Sequence, residues 1–155
     1  MVSRQERQAL NEQRREAMAV LAKANGSDLL ALWNEAGLPD DAKILRGPET
    51  GLVTVRGRMG GGGAPFNFGE ATVTRATVKL PTGEVGHAYA LGREKMKVRV
   101  AALIDALRQK PDLQDQIEDK ILGPLRARQA QADATRRAET AATKVDFFTM
   151  VRGED

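Results

Sequence analysis

The chain contains no cysteine. That excludes disulfides, thiolate zinc sites and any iron–sulfur cluster ligated by its own residues, and it suits a reducing compartment. Histidine occurs once, at His87, so no pair of imidazoles can hold a metal. Serine is confined to Ser3 and Ser27, both in helix-start contexts, and no nucleophile motif surrounds either. Aromatics supply only 4% of 155 residues, and many of the 41% hydrophobic residues are alanine. Such a composition builds a modest aliphatic core in one domain. No apolar run approaches the ~18 residues of a membrane span. The opening MVSRQERQALNEQRRE is too charged for a signal peptide. The expectation is a soluble, cytoplasmic protein that does not engage a membrane. A net charge of +3 is too small to argue for nucleic acid, so what matters is where the arginines sit.

What is present centres on Arg46–Lys79, two β-rich segments on either side of four consecutive glycines. In Leu52–Met59, Val53, Val55 and Met59 share one face and Thr54, Arg56 and Arg58 the other, because strand side chains alternate. In Ala71–Leu80, Ala76, Val78 and Leu80 oppose Arg75, Thr77 and Lys79. Pairing the segments across the glycines predicts one apolar sheet face and one face carrying Arg56, Arg58, Arg75 and Lys79. Before them, Ala42–Arg46 reads as a short strand and Pro48-Glu49-Thr50-Gly51 as a turn. Ala64–Gly69 reads as a loop with two aromatics. Pro81-Thr82-Gly83 turns into a third β segment, Glu84–Leu91, in which Gly86, Ala88 and Ala90 face away from Val85, His87, Tyr89 and Leu91. A strand with one face so free of bulk reads as covered on both sides.

Helices flank this sheet. Leu10, Ala17, Met18, Leu21 and Ala24 form an apolar stripe over roughly Gln5–Ala24. Ser27 is a candidate N-cap for a second helix carrying Leu29, Leu30, Leu32 and Trp33, closed by a left-handed Gly37 before Pro39. Trp33 fits a core position among leucines or a platform for a base. After Gly92-Arg93-Glu94, Met96, Val100, Leu103, Ile104 and Leu107 mark a third helix. A fourth starts at Pro111 and buries Leu113, Ile117, Ile121, Leu122 and Leu125, with a kink or restart at Gly123-Pro124. Arg126–Lys144 has no large apolar residue and favours helix, an arm of roughly 28 Å at ~1.5 Å per residue. It leads into Val145-Asp146-Phe147-Phe148-Thr149-Met150-Val151, which reads as a strand docking on its own sheet or on another subunit. The expected architecture is a single α+β domain over 1–155. N-terminal helices cover 1–40, a mainly antiparallel sheet 42–91, helices 93–144, and a C-terminal tail strand 145–151.

Three features bear on chemistry. Gly60–Gly63 with Arg56 and Arg58 suits either a flexible hairpin or close approach of backbone amides to an anion, but it matches neither the P-loop nor the dinucleotide fingerprint. His87 is either structural or a general base. Glu49, Glu70 and Asp146 offer carboxylates, with no paired-carboxylate signature among them. An arginine-rich sheet without a catalytic set allows a stand-alone nucleotide-binding enzyme, using Arg56, Arg58 and His87. It also allows an RNA-binding sheet with Phe66 and Phe68 stacking on bases.

The motifs together resemble the PhnG family, a subunit of the bacterial carbon–phosphorus lyase core complex. The resemblance rests on Pro48-Glu49-Thr50-Gly51-Leu52-Val53, Arg58-Met59-Gly60-Gly61 and Gly69-Glu70-Ala71-Thr72-Val73-Thr74-Arg75-Ala76. It continues through Leu91-Gly92-Arg93-Glu94-Lys95, Ala102-Leu103-Ile104-Asp105-Ala106-Leu107 and Val145–Glu154, in family order from about residue 15 onward. The four-glycine run departs from the family loop, which often includes a threonine, and His87 is not at an invariant family position. The resemblance implies assembly with PhnH-, PhnI- and PhnJ-like subunits in a two-fold hetero-oligomer, with self-association possible. That complex transfers a ribose triphosphate unit from ATP to an alkylphosphonate with release of adenine. It implies nucleosidase chemistry on the PhnI-like partner, and S-adenosylmethionine and an iron–sulfur cluster on the PhnJ-like one. This chain would carry no cofactor and no catalytic residue of its own. Arg46, Arg56, Arg58, Gly60, Gly61, Arg75 and Arg93 become candidates for contact with an anion or a partner, and Val145, Asp146, Phe147, Phe148, Met150 and Arg152 for assembly.

Overall fold

The computed structural model describes residues 3–143. The expected tail strand, with Val145, Asp146, Phe147, Phe148, Met150 and Arg152, lies outside them. Helix α1 spans Arg4–Lys23 and is opened by a capping box in which the Ser3 hydroxyl accepts from the Glu6 amide and Glu6 accepts from the Ser3 amide. These bonds hold the Glu6 carboxyl below its ordinary pKa. Helix α2, Gly26–Ala36, is capped by Asn25 rather than Ser27: the Asn25 side chain accepts from the Ser27 amide at 2.9 Å. Gly37 closes it at φ +63°, the left-handed conformation that Gly tolerates.

The sheet is three-stranded and antiparallel, in the order β1-β2-β3, with β1 at Lys43–Arg58, β2 at Pro65–Lys79 and β3 at Val85–Leu91. Both long strands outrun the sequence reading. β1 passes through Pro48-Glu49-Thr50-Gly51 instead of turning there, which an edge strand permits because the proline ring occupies a position with no ladder bond to lose. β2 starts at Pro65, inside the segment read as a loop. The four glycines close the hairpin, with Gly60 and Gly61 at φ +61° and +78° and the Gly63 amide donating to the Met59 carbonyl.

One sheet face is the core face. Thr74, Ala76 and Val78 of β2 and Gly86 and Ala90 of β3 are buried beneath α3, Lys95–Leu107. Behind α3 lie α1, α2 and a helical run of α4, Pro111–Ile117, a π-helical turn at Glu118–Leu122, and α5, Gly123–Ala142. The π turn falls just before Gly123-Pro124, where an interrupted ladder is expected of a residue without an amide hydrogen. Leu29, Leu103, Ile104, Leu107, Ile117 and Ile121 form the heart of the core, and Trp33 joins it at 8% exposure. Leu10 and Met96 do not, although both fell on apolar stripes; they are 54% and 55% exposed.

Thr74 ties the three strands together. Its fully buried hydroxyl donates to the Gly92 carbonyl at 2.7 Å and contacts the Thr50 hydroxyl at 2.9 Å. Thr74→Val keeps the shape but strands a buried carbonyl, an expected cost of ~1–3 kcal/mol. A lower urea midpoint with an unchanged slope checks this.

Candidate functional site

The pairing register decides which arginines meet. Glu49 lies opposite Arg75, Gly51 opposite Val73, Val53 opposite Ala71 and Val55 opposite Gly69, while Arg75, Thr77 and Lys79 face Tyr89, His87 and Val85. Paired residues project to the same side, so Val53 and Val55 share a face with Arg75 and Lys79, not with Ala76 and Val78. A bulge between Val55 and Arg56 then leaves Arg56 opposite Asn67, with Val55 and Arg56 on opposite faces of the strand. The single basic face expected from alternation is therefore not formed. Arg56 and Arg58 extend the core-side face, and Arg75 and Lys79 occupy the other. A slip of one residue in the assumed pairing produces this inversion.

On that other face Glu49 gathers two of the candidate arginines. Its Oε1 accepts from Arg75 Nε at 2.7 Å and lies 3.3 Å from Arg46 Nε. All three side chains are about half exposed, so the cluster adds little stability and leaves guanidinium N–H groups facing outward. Beside it lies a recess of about 250 Å³ lined by Glu49, Val53, Val73, Arg75 and Tyr89 with Thr50 and Gly51. The remaining candidates stand apart. Arg58 donates across the hairpin to the Gly63 carbonyl at 3.2 Å. Gly60 and Gly61 form the turn itself, and Arg93 is exposed between β3 and α3. His87 Nδ1 sits 3.2 Å from the Thr77 hydroxyl on the open face.

The displaced titrations lie elsewhere. Glu6 is held low by its cap, Glu84 is held low by the Thr82 hydroxyl, and Arg14 is pushed above its ordinary value by its hydrogen bond to Asp105. Each has a local structural cause and none lines the recess. Among the described residues, no group of three or more His, Asp or Glu side chains is placed to hold a metal, and no helix is long and apolar enough to cross a membrane.

Two structural residues escaped the sequence reading. Asp105, 4% exposed, accepts from Arg14 Nε at 2.9 Å, from the second Arg14 nitrogen at 2.7 Å and from the His87 amide at 2.8 Å. A lone carboxylate inside Ala102-Leu103-Ile104-Asp105-Ala106-Leu107 was the available signal, since such a residue needs a partner when buried.

The geometry defines an α+β protein whose exposed sheet presents paired arginines and apolar side chains beside a shallow recess, the equipment of a binding subunit. The chain belongs to the PhnG family: the model for phosphonate metabolism protein PhnG matches residues 12–153. A relative from Rhizobium meliloti (strain 1021), the alpha-D-ribose 1-methylphosphonate 5-triphosphate synthase subunit PhnG, is 52% identical over 143 residues, covering 92% of this chain and 91% of that protein.

Proposed function

We propose that this chain is a subunit of an alpha-D-ribose 1-methylphosphonate 5-triphosphate synthase that works in the breakdown of organic phosphonates. The observation that carries this reading is the 52% identity, nearly end to end, to a protein bearing that name. The site supports a supporting role rather than bond breaking. Glu49 already holds Arg46 and Arg75, His87 faces a threonine, and among the described residues no candidate acid is paired with a candidate base across the recess. In this reading the PhnI-like subunit removes adenine from ATP, a PhnJ-like subunit supplies S-adenosylmethionine and iron–sulfur chemistry, and a PhnH-like subunit completes a two-fold assembly in the cytoplasm. Arg46, Arg75 and Arg93 then meet carboxylates of partners or screen the polyphosphate. The segment Val145–Arg152 adds a further contact.

Two measurements test the proposal together. Purified alone, the chain is expected to release no adenine from ATP. Co-expressed, it should co-purify with the PhnI-like subunit and be required for adenine release in the presence of an alkylphosphonate. Turnover by the isolated chain, or full activity of the assembly without it, would sink the reading.

A further inference from the structure

The β1–β2 hairpin runs well past the part of the sheet that β3 pairs. β3 pairs with β2 only from Val73 to Lys79, so the pairs from Leu52↔Thr72 to Arg58↔Pro65 form a two-stranded arm. At ~3.4 Å per residue it projects roughly 20 Å. Every residue from Pro65 to Glu70 is exposed. Two strands alone are marginally stable in water and need a further layer.

The arm is continuous with the sheet face that none of the described helices covers. On one surface they present Val53, Val55, Phe66, Phe68, Tyr89 and Leu91. Phe68 covers Gly57, and its ring centroid is 6.4 Å from that of Phe66. Phe68, Tyr89 and Leu91 are 64%, 52% and 72% exposed. An aromatic and aliphatic stripe of this extent marks an interaction site. At its base stand Lys43, Arg46, Arg75 and Lys79, with Glu49 engaged by the two arginines and Asp41 beside the two lysines.

We infer that this stripe is the surface by which the chain docks on a different polypeptide of its complex. The occupant presents an apolar centre to the phenylalanines and Tyr89, and carboxylates to the four cations. This deepens the proposed function and rests on it. A second copy fits poorly, because a self-complementary contact would set four cations against Asp41 at one end and a Glu49 that is already engaged. Among the described residues α5 does not cover the stripe: Gln129 reaches the Val20 carbonyl, and the described side-chain bonds beyond it stay within the helix.

The test uses the PhnI-, PhnJ- and PhnH-like subunits co-expressed with a tagged chain. Phe68→Ser and Tyr89→Ser should each weaken capture at least ~30-fold, as central aromatic anchors do. Lys43→Glu with Lys79→Glu should weaken it in a salt-dependent way, and Leu10→Ser, an exposed leucine on α1, should not. Independently of any variant, amides in 52–58 and 66–72 should gain exchange protection in the assembled complex. Wild-type assembly with unchanged capture by both aromatic variants and no added protection overturns the inference while the functional reading stands. A wild-type chain that captures none of the three subunits overturns both. Three other results overturn the chosen occupant: a homodimer lost on Phe68→Ser, salt-sensitive RNA retention lost on Phe68→Ser, or arm amides that lose protection when 144–155 are deleted.

Discussion

Gly86→Ala is expected to destabilise the protein by about 3 kcal/mol or more, from the insertion of one methyl group. A Cβ at this position would sit 2.0 Å from the Ala102 carbonyl oxygen, 2.5 Å from the Ala106 amide nitrogen and 2.8 Å from the Ala106 methyl. Two of these three neighbours are α3 backbone, so no rotamer change relieves them, and Ala106→Gly would remove only the third. The helix must lift off β3 or the strand must buckle, and either opens the packing of Val98, Ala102 and Ile104 at the centre of the core. For a chain of this size the melting temperature should fall by roughly 6–12 °C, taking ~2–4 °C per kcal/mol. Gly51→Ala is the matched control. It also lies in a strand, but nothing stands within 4 Å of its new methyl group, so its midpoint should stay the same or rise. If Gly86→Ala melts within about 2 °C of wild type, α3 is not seated directly on β3 at this position.

Gly86 also shows how far the sequence could be read. The small face of Gly86, Ala88 and Ala90 announced a close approach, and the contact with α3 realises it. The same argument expected cover on the opposite face, where Tyr89 and Leu91 stand exposed among the described residues. The α+β class, the antiparallel order and the apolar stripes of α3 and α4 followed from period and punctuation, because burial imposes them locally. The register did not. Whether Val53 sides with Arg75 or with Val78 depends on the Glu49–Arg75 and Thr50–Thr74 pairs and on bulges at Arg46/Glu49 and Val55/Arg56. Those are long-range choices that alternation within one strand cannot reveal. The candidate site changed with it. Arg46 and Arg75 come together, Arg56 and Arg58 leave, and two phenylalanines read as loop residues join the apolar stripe.

Arg14→Ala is expected to cost about 2–4 kcal/mol at neutral pH, somewhat below the range for breaking a fully buried pair because Arg14 is one-third exposed. It leaves the Asp105 carboxylate, whose side chain is 3% exposed, with only the His87 amide as donor. In the intact protein Asp105 raises the Arg14 pKa, so this contribution is fully present below the ordinary arginine value and is lost only in strong alkali. Urea unfolding at neutral pH checks the cost, and a loss below about 1 kcal/mol would mean that the pair behaves as an exposed one. Replacing both members, Arg14→Leu with Asp105→Leu, should recover part of the loss, since an apolar pair substitutes for a buried ion pair. It cannot recover all of it. The Val85 carbonyl accepts from Arg14 and Gln109, and the His87 amide donates to Asp105, so the ion pair also seals the outer edge of β3. The double variant exposes that edge and should self-associate at high concentration, as unpaired strand edges do. Light scattering would reveal it even where the melting curve looks restored. Among the described residues this seal leaves the β1 edge, the arm and the open face as the sheet surfaces that no helix covers.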